Sequence, residues 1–339
     1  MKRIAAFVAT VALALTGCAT TGAPAPSAPA DGTANAEPTT VRVAHLPSTL
    51  FSPLYIAAEK GYFTDAGLTV ELEAVKSGQD AIPLLASGKL DALAAGFSAG
   101  MFNARNEGLE FQIVGSMGVN TGDPANSPTM LLAGQQGYDA GTVTSVADLK
   151  GKKVAAAGGP GATGGFLTAS ILATAGLTLN DVEIVNLSTP DMPNALSTGA
   201  VDAALASAPT SGRIVADKAG TAIGVPAKGV SSSGLMFGPE FAETAAAQAF
   251  FDAVAKGAAD LQGDGISDED NLAILAKATN QEVDAIKALP FYTFDAKLAP
   301  QPATIEQMQT IWMEGGQIDY DTPLTVDELV NDAFTTATP

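Results

Sequence analysis

The sequence predicts an α/β protein of two similar lobes, each with a parallel-rich sheet flanked by helices. Strand-like and helix-like segments alternate from Val41 to Val225, which is typical of parallel sheets covered by helices. The length of 339 residues fits about two domains. The segment Leu85–Ala92 (LASGKLDA) recurs as Leu196–Ala203 (LSTGAVDA), which favours duplicated lobes over coincidence.

The first lobe opens with an alternation of strands and helices. Strands are predicted at Val41–Leu46, Val70–Val75, Leu90–Ala95 and Phe111–Met117. Helices are predicted to begin at Ser52, at Gln79 or Asp80, and after Ser98, and to end at Gly61, Gly88 and Gly108. Ser52 is a suitable N-cap for the first of them, because Pro53 follows at the first helical position.

The second lobe repeats this alternation after a crossover at Asn120–Thr144, which is rich in Gly, Pro, Asn and Ser. Its strands are predicted at Lys153–Ala157, Val182–Leu187, Val201–Ala206 and Thr221–Val225, and its first helix at Thr163–Ala175. From Glu240 onward the pattern is mostly helical, with helices at Phe241–Leu261, Asp268–Thr279, Thr304–Glu314 and Val326–Phe334. Trp312 is expected in the core.

The charge and the rare side chains exclude several classes of function. Lys and Arg number 17 against 36 Asp and Glu, so the net charge is −19, and nucleic acid is not an expected partner. One Cys and one His exclude a disulfide framework, a Cys/His zinc site and most nucleophilic triads. We therefore expect no catalytic residue, no metal and no cofactor.

The N-terminus predicts export and a lipid anchor. Lys2 and Arg3 precede the apolar stretch Ile4–Leu15, which is too short to span a membrane and is typical of a signal peptide. Leu15-Thr16-Gly17-Cys18 resembles a bacterial lipobox; the alternative is an ordinary buried cysteine. We therefore predict a signal peptide over residues 1–17, lipidation of Cys18 and a flexible tether over residues 18–40, which place the folded part outside the cytoplasm at a membrane.

Five segments, in order along the chain, resemble one family. They are Ser52–Leu68 (SPLYIAAEKGYFTDAGL), Leu84–Asp91, Val146–Val154 (VADLKGKKV), Leu196–Ala203 and Trp312–Tyr320 (WMEGGQIDY). Together they are similar to the nitrate/sulfonate/taurine-type solute-binding proteins, also called thiamine-pyrimidine-synthase-like. The resemblance runs from about Val41 to Phe334.

The resemblance implies a type II periplasmic-binding-protein-like fold and a role in uptake. Residues 41–130 and 231–339 would form lobe 1, and residues 131–230 lobe 2, with a ligand in the cleft. The partners implied are a small-molecule solute and the permease and ATPase chains of an ABC importer, and we expect a monomer. Two alternatives stay open: a cleft enzyme on the same fold, and a receptor that reports its ligand to a signalling partner.

Candidate ligand-binding residues follow from strand ends, because open α/β sheets bind ligands beyond the carboxyl ends of their strands. Hydroxyl groups and helix N-termini there suit a small polar or anionic group. The alternative for Ser52 and Ser98 is that they only cap their helices. The candidates from strand ends are Pro47, Ser48, Thr49, Phe97, Ser98, Gly161, Ala162, Thr163, Ser188 and Ser207, and the aromatic residues Phe51 and Tyr55 are added as packing partners for the apolar part of a solute.

Three further motifs have competing interpretations. Gly159–Gly164 fits G-x-G-x-x-G, but the strand Val182–Leu187 lacks the acidic residue that a dinucleotide site needs, so an anion nest is favoured. Asp264–Asp270 lacks a complete calcium loop, and Ser267 as a helix cap is the simpler interpretation. His45 either packs in the core or faces the cleft.

The solute is expected to be organic and to carry little charge. The arginines beyond the signal peptide are Arg42, Arg105 and Arg213, and none falls on a predicted cleft loop. Helix N-termini can hold one anionic group without a side-chain cation. We therefore expect a neutral, zwitterionic or weakly anionic solute, with Phe51, Tyr55 and Phe97 against its apolar part.

Overall fold

The computed structural model describes residues 38–337, and the predicted signal peptide and Cys18 lie outside this range. The first strand begins at Thr39, because Thr39 and Thr40 already pair with Leu68 and Thr69 of its neighbour. The predicted flexible tether, residues 18–40, therefore overlaps the first two residues of this strand. Within the described range, no helix is both long and apolar enough to cross a membrane.

Two five-stranded sheets share one topology, which confirms the expected two-lobed α/β fold. The first has the order β2-β1-β3-β10-β4 and the second β7-β6-β8-β5-β9. The strands are β1 (Thr39–His45), β2 (Leu68–Ala74), β3 (Ala92–Gly96), β4 (Gln112–Ser116), β5 (Thr129–Gly134), β6 (Lys153–Ala156), β7 (Glu183–Asn186), β8 (Ala203–Ser207), β9 (Gly220–Gly224) and β10 (Ser233–Phe237). In each sheet the fourth strand in this order is antiparallel to its neighbours.

Helices cover both sheets. They are α1 (Ser52–Glu59), α2 (Tyr62–Asp65), α3 (Gly78–Ala86), α4 (Ala99–Asn106), α5 (Gln135–Asp139), α6 (Thr163–Leu172), α7 (Met192–Thr198), α8 (Thr210–Ala216), α9 (Pro239–Ala242), α10 (Ala245–Ala259), α11 (Glu269–Thr279), α12 (Val283–Lys287), α13 (Pro302–Glu314), α14 (Val326–Leu329) and α15 (Ala333–Ala337). Helices α10 and α11 pack on α1, so the C-terminal region returns to lobe 1.

The antiparallel strands β5 and β10 were not predicted. Each is a short, wholly buried run without polar alternation, and β5 lies inside the stretch predicted as a crossover. Because β5 begins at Thr129, the second sheet starts two residues before the predicted boundary at residue 131. The long helices predicted at Phe241–Leu261 and Val326–Phe334 are each divided in two.

The repeated sequence segment builds the same device in both lobes. In lobe 1 an Asp91 carboxylate oxygen accepts the backbone N–H of Arg42 in β1 at 2.7 Å, and in lobe 2 Asp202 accepts that of Lys153 in β6 at 2.8 Å. Each Asp follows a glycine in the left-handed region, with φ of 68° at Gly88 and 70° at Gly199. In both lobes, therefore, the repeated segment marks the end of a helix and the start of the strand that follows it.

The two crossing segments, residues 117–128 and 225–232, are paired with each other. Asn120 donates its N–H to Val230 O at 2.9 Å, and Gly229 donates to Asn120 O at 3.0 Å. At Gly122, where φ is 68°, a Cβ would lie 2.5 Å from the backbone N of Lys228, so this close approach requires glycine.

Trp312 of α13 is in the core, as expected, and it packs against residues of both lobes. It is fully buried, and its ring packs edge-on against Phe102 of α4 and Phe166 of α6. Its indole N–H donates to Pro160 O of lobe 2 at 3.1 Å. One hydrophobic core thus continues from the first sheet, at Leu93, into the second.

The equivalent aspartates Asp91 and Asp202 should contribute unequally to the free energy of unfolding. Asp91→Ala should lower the free energy of unfolding by about 2 kcal/mol, because it removes charge-assisted bonds to both the backbone and the guanidinium of Arg42. Asp202→Ala should cost about 1 kcal/mol, because its ion pair with Lys152 is long, at 3.9 Å, and more exposed. Urea denaturation measures both, with exposed Asp321→Ala as control. Equal losses at both sites would contradict this ranking.

Candidate functional site

A cavity of about 470 Å³ lies where the carboxyl ends of the strands of both sheets meet. Its volume is within the range of small-molecule sites. Lobe 1 contributes Leu46, Ser48, Leu50, Phe51, Lys76, Ser77, Gly78, Gln79, Gly96, Phe97 and Ser98 to the lining, and lobe 2 contributes Ala157, Gly158, Ala162, Thr163, Gly164, Leu167, Thr189, Leu205 and Ser207.

Three helices begin at this cavity: α3, α4 and α6. Their N-cap residues are Ser77, Ser98 and Ala162, and none of the three makes a side-chain capping hydrogen bond. The first N–H groups of a helix have no intrahelical partner, and they carry the positive end of its dipole. Helix N-termini from both lobes therefore bring positive partial charge and N–H donors to the cavity, although the first N–H of α4, at Ala99, is already bonded to Gly161 O.

The hydroxyl of Ser98 is buried and unused. The residue is 8% exposed, and its Oγ has no hydrogen-bond partner among the described residues. The capping interpretation of Ser98 is thus not observed. A buried hydroxyl without a partner is costly, and Ser98 is one of the residues that line the cavity. Ser52 instead donates to Thr49 O at 2.6 Å, away from the cavity.

The lobes touch directly along one wall of the cavity. Ala99 donates its N–H to Gly161 O at 2.8 Å, and the Thr163 hydroxyl donates to Phe97 O at 3.0 Å. Gly96 makes room for this contact, because a Cβ there would lie 2.4 Å from Thr163 Oγ1. The wall is therefore built from the loops before α4 and α6, one from each lobe.

Seven of the twelve candidate residues line the cavity. They are Ser48, Phe51, Phe97, Ser98, Ala162, Thr163 and Ser207. Phe51 and Phe97 are nearly fully buried, so each presents only part of its ring to the cavity.

Five candidates lie elsewhere, namely Pro47, Thr49, Tyr55, Gly161 and Ser188, because each is engaged in local structure or points away. The Tyr55 ring is in the lobe 1 core, and its hydroxyl donates to Leu46 O at 3.0 Å. Pro47 is exposed, and Thr49 accepts the Ser52 hydroxyl. Gly161 faces α4 across the lobe contact, and Ser188 bonds to Asp191 while its neighbour Thr189 lines the cavity.

The loop after β2 is the part of the site that the sequence prediction missed. Lys76, Ser77, Gly78 and Gln79 all line the cavity. These residues lie just beyond the carboxyl end of a predicted strand, at Val75, as the other candidates do. They are not among the candidates because the exposed side chains of this edge strand give no sign of a binding site. Lys76 is exposed and makes no ion pair among residues 38–337. It is the sole charged lining residue in the described chain.

His45 packs behind the cavity and does not line it. It is 7% exposed, and its Nδ1 lies 2.9 Å from the Tyr55 hydroxyl. Burial lowers the pKa of His45 from its ordinary value of 6.5. The neutral imidazole is therefore the form that fits the folded protein.

Of the remaining motifs, the glycine-rich loop contributes Ala162, Thr163 and Gly164 to the cavity, and the acidic segment has a structural role. The N–H of Gly158 donates to the side chain of Asn186 at 3.0 Å, at the strand end where a dinucleotide site would need an acidic residue. Helix α11 is capped by Asp268, whose carboxylate accepts from Asp270 N and Asn271 N, so the cap expected at Ser267 is wrong by one residue. Among residues 38–337 no three His, Cys, Asp or Glu side chains are grouped as a metal site would need.

Comparisons with known proteins agree on family and fold. A family model described as NMT1/THI5-like matches residues 48–265. The alkanesulfonate-binding protein SsuA from Xanthomonas axonopodis pv. citri, solved with MOPS, superposes with a TM-score of 0.65 at 17% identity, covering 88% of this chain and 100% of its own. The nitrate-binding protein NrtA from Synechocystis PCC 6803 gives 0.71 at 16% identity, covering 89% and 88%.

The same fold also occurs in an enzyme. The desulfurization enzyme DszB, as a mutant in complex with biphenyl-2-sulfinic acid, superposes with a TM-score of 0.59 at 15% identity, covering 89% of this chain and 99% of its own. No curated protein matches the sequence. At these identities the superpositions establish the fold alone.

The buried imidazole predicts a stability change between pH 7 and pH 5. Because the pKa of His45 is lower in the folded state, the unfolded chain takes up the proton first as the pH falls below about 6.5, and stability decreases. Carboxylates whose pKa is lowered, such as Asp181, lose their contribution only at more acidic pH.

Urea denaturation at several pH values measures the change, and His45→Gln is the matched variant because the chain has one histidine. The variant should have a flatter profile between pH 7 and pH 5 than the wild type. Identical slopes for the two proteins would show that another group is responsible.

Proposed function

The chain belongs to the NMT1/THI5-like family, and we propose that it is the solute-binding protein of an ABC importer, holding a small organic solute between its lobes. The main support is the cavity at the paired carboxyl edges, where donors from both lobes converge and the buried Ser98 hydroxyl lacks a partner. SsuA and NrtA, which have this fold, are described as binding proteins for alkanesulfonates and nitrate.

The lining favours a solute with an acceptor-rich head and an apolar body. Among the described residues no Asp or Glu lines the cavity, although the chain has 36 of them, and Lys76 stands at the cavity. Three helix N-termini and Ser98 add donors. Leu46, Phe97 and Leu205 offer apolar surface for a body.

Size and charge narrow the class of solute further. A cavity of about 470 Å³ is much larger than an inorganic anion, so an organic molecule fills it better. Lys76 supplies the charge that the arginines do not, so we favour a zwitterion or a singly charged organic anion, such as a carboxylate or sulfonate, over a neutral solute. A sulfonate carries more charge than the weakly anionic solute expected from the sequence.

Capture would proceed by closure of the lobes. A solute that touches Ser98 on one lobe and Thr163 on the other stabilises the arrangement in which both are near, so binding selects a closed form. The closed form would then dock on the permease, and the ATPase chain would supply the energy for transport.

The enzyme alternative finds little support in the cavity. Lys76 is the one titratable side chain among the lining residues of the described chain, and no hydrogen bond joins its amine to a lining hydroxyl there, so no nucleophile–base pair is assembled in this structure. A ligand-sensing receptor would use the same closure, and permease and ATPase genes beside this one would favour transport.

Two further proposals concern location and assembly. Export through residues 1–17 and lipidation of Cys18 would hold the protein at the outer face of a membrane, where a solute meets its importer. We propose that it acts as a monomer, because both walls of the cavity come from one chain.

Binding can be tested with 1-butanesulfonate, butyrate, butyramide and nitrate, followed by calorimetry and thermal shift. We expect 1-butanesulfonate or butyrate to bind more tightly than butyramide and nitrate, and to reduce the radius of gyration in small-angle scattering. Nitrate binding most tightly, or saturation without compaction, would contradict the proposal. Native mass spectrometry of protein purified without denaturation would identify a retained solute.

Two buried serines provide a matched pair for the same measurements. Ser98→Ala should weaken binding of the tightest probe about five- to tenfold, whereas the stability of the empty protein should hold or rise, since an unpaired buried hydroxyl is removed. Ser52→Ala should lower stability and leave affinity unchanged, because its hydroxyl bonds within lobe 1. Unchanged affinity in Ser98→Ala would remove Ser98 from the site.

The anchor is tested separately. Cys18→Ala should prevent acylation, so the protein should lose palmitate labelling and appear in the soluble fraction after cell disruption. The wild type, grown and fractionated in parallel, should stay with the membranes. A variant that remains entirely with the membranes would contradict the lipobox prediction.

A further inference from the structure

A chain of three hydroxyl groups leads from the core of lobe 1 to the cavity. The Tyr292 hydroxyl lies 2.9 Å from Thr129 Oγ1, and Thr129 Oγ1 lies 3.2 Å from Ser207 Oγ. Tyr292 is 7% exposed and Thr129 is fully buried, whereas Ser207 lines the cavity. Thr129 and Ser207 are opposite each other at the ends of β5 and β8, where the antiparallel pair begins.

Tyr292 is fixed by backbone contacts to a crossing segment. Its neighbour Thr293 donates its N–H to Val119 O at 3.0 Å and accepts the N–H of Val119 at 2.8 Å. Residue Gly118 faces the tyrosine ring, since a Cβ there would lie 3.0 Å from Tyr292 Cγ. The hydroxyl therefore reaches lobe 2 from a rigid position in lobe 1.

The direction of these hydrogen bonds follows from the available acceptors. In the described chain no carbonyl or carboxylate accepts from the Tyr292 hydroxyl, so its proton goes to one of the two hydroxyls beside it, those of Thr129 and Ser207. Thr129 is fully buried whereas Ser207 lines the cavity, so we assign the tyrosine proton to Thr129 Oγ1. Burial raises the pKa of Tyr292, which keeps this proton in place. Thr129 then has its own proton to donate to Ser207 Oγ, and the Ser207 proton is left free.

We propose that Tyr292 is a positioning residue: through Thr129 it orients the Ser207 hydroxyl as a donor toward an acceptor atom of the bound solute. This inference rests on the proposed function and extends its account of specificity. Without the tyrosine proton, Thr129 and Ser207 can reverse, and Ser207 would then present a lone pair to the cavity. Tyr292 thus favours acceptor-headed over donor-headed solutes without touching either.

The test compares 1-butanesulfonate with 1-butylammonium, which share a four-carbon body but carry acceptor and donor heads. The wild type should prefer the sulfonate, and Tyr292→Phe should reduce the preference about fivefold, as expected for one neutral hydrogen bond. Thr129→Val, which keeps the shape and removes the hydroxyl, should behave in the same way, and Thr129→Ser should keep the wild-type preference. Calorimetry gives each dissociation constant.

Two outcomes of the binding measurements would overturn the proposal. One is a wild-type ratio in Tyr292→Phe. The other is an equal loss in Thr129→Ser and Thr129→Val, because packing rather than the hydroxyl would then be responsible.

A measurement without any solute separates this proposal from the proposed function. In thermal unfolding of the empty protein, the effects of Tyr292→Phe and Ser207→Ala should be non-additive, because both residues bond to Thr129. Additive effects would overturn the proposal that Tyr292 acts on Ser207 through Thr129. If the wild type binds neither butane probe but the effects are non-additive, this chain of hydrogen bonds is supported and the proposed class of solute is wrong.

Discussion

The site depends on where the two crossing segments enter the sheets. Strand β10 begins beside the carboxyl end of β3, with Ser233 opposite Gly96, and β5 begins beside the carboxyl end of β8, with Thr129 opposite Ser207. Each crossing therefore joins the carboxyl edge of one sheet to that of the other. Because helices start at those edges, the same constraint brings the N-termini of α3, α4 and α6 together around one cavity.

This arrangement leaves polar groups that the protein does not satisfy by itself. Ser98 could cap α4, yet its hydroxyl is buried without a partner, and the N-caps of α3 and α6 make no side-chain bond either. Unused donors reduce the stability of the empty form, and a solute that supplies acceptors recovers that loss. The hydrophobic core around Trp312, which is shared by both lobes, stabilises the fold and so offsets the cost of these unpaired polar groups.

Local patterns in the sequence predicted the parallel strands, most helix ends and seven lining residues. They did not predict the features that depend on contacts between residues far apart in the sequence. Strands β5 and β10 are short apolar runs whose role as central antiparallel strands depends on long-range pairing. Tyr55 lies in the helix that follows the first strand, and its ring is in the core, where its hydroxyl donates to Leu46 O and contacts His45. The role of Tyr292 depends on contacts 163 residues apart, which no local pattern contains.

The distribution of charge has a consequence for selectivity. The chain as a whole carries −19, so a highly charged anion is repelled as it approaches, whereas within about 8 Å the local groups dominate because salt screens the rest. At the cavity those groups are Lys76 and the positive ends of three helices, with no lining acid in the described chain. One negative charge on a head group is balanced by Lys76, whereas each further charge would lose its water in the cavity without a second side-chain cation to balance it. Under the proposed function, the net charge of the chain and the single cation at the cavity therefore favour singly charged solutes over polyanions.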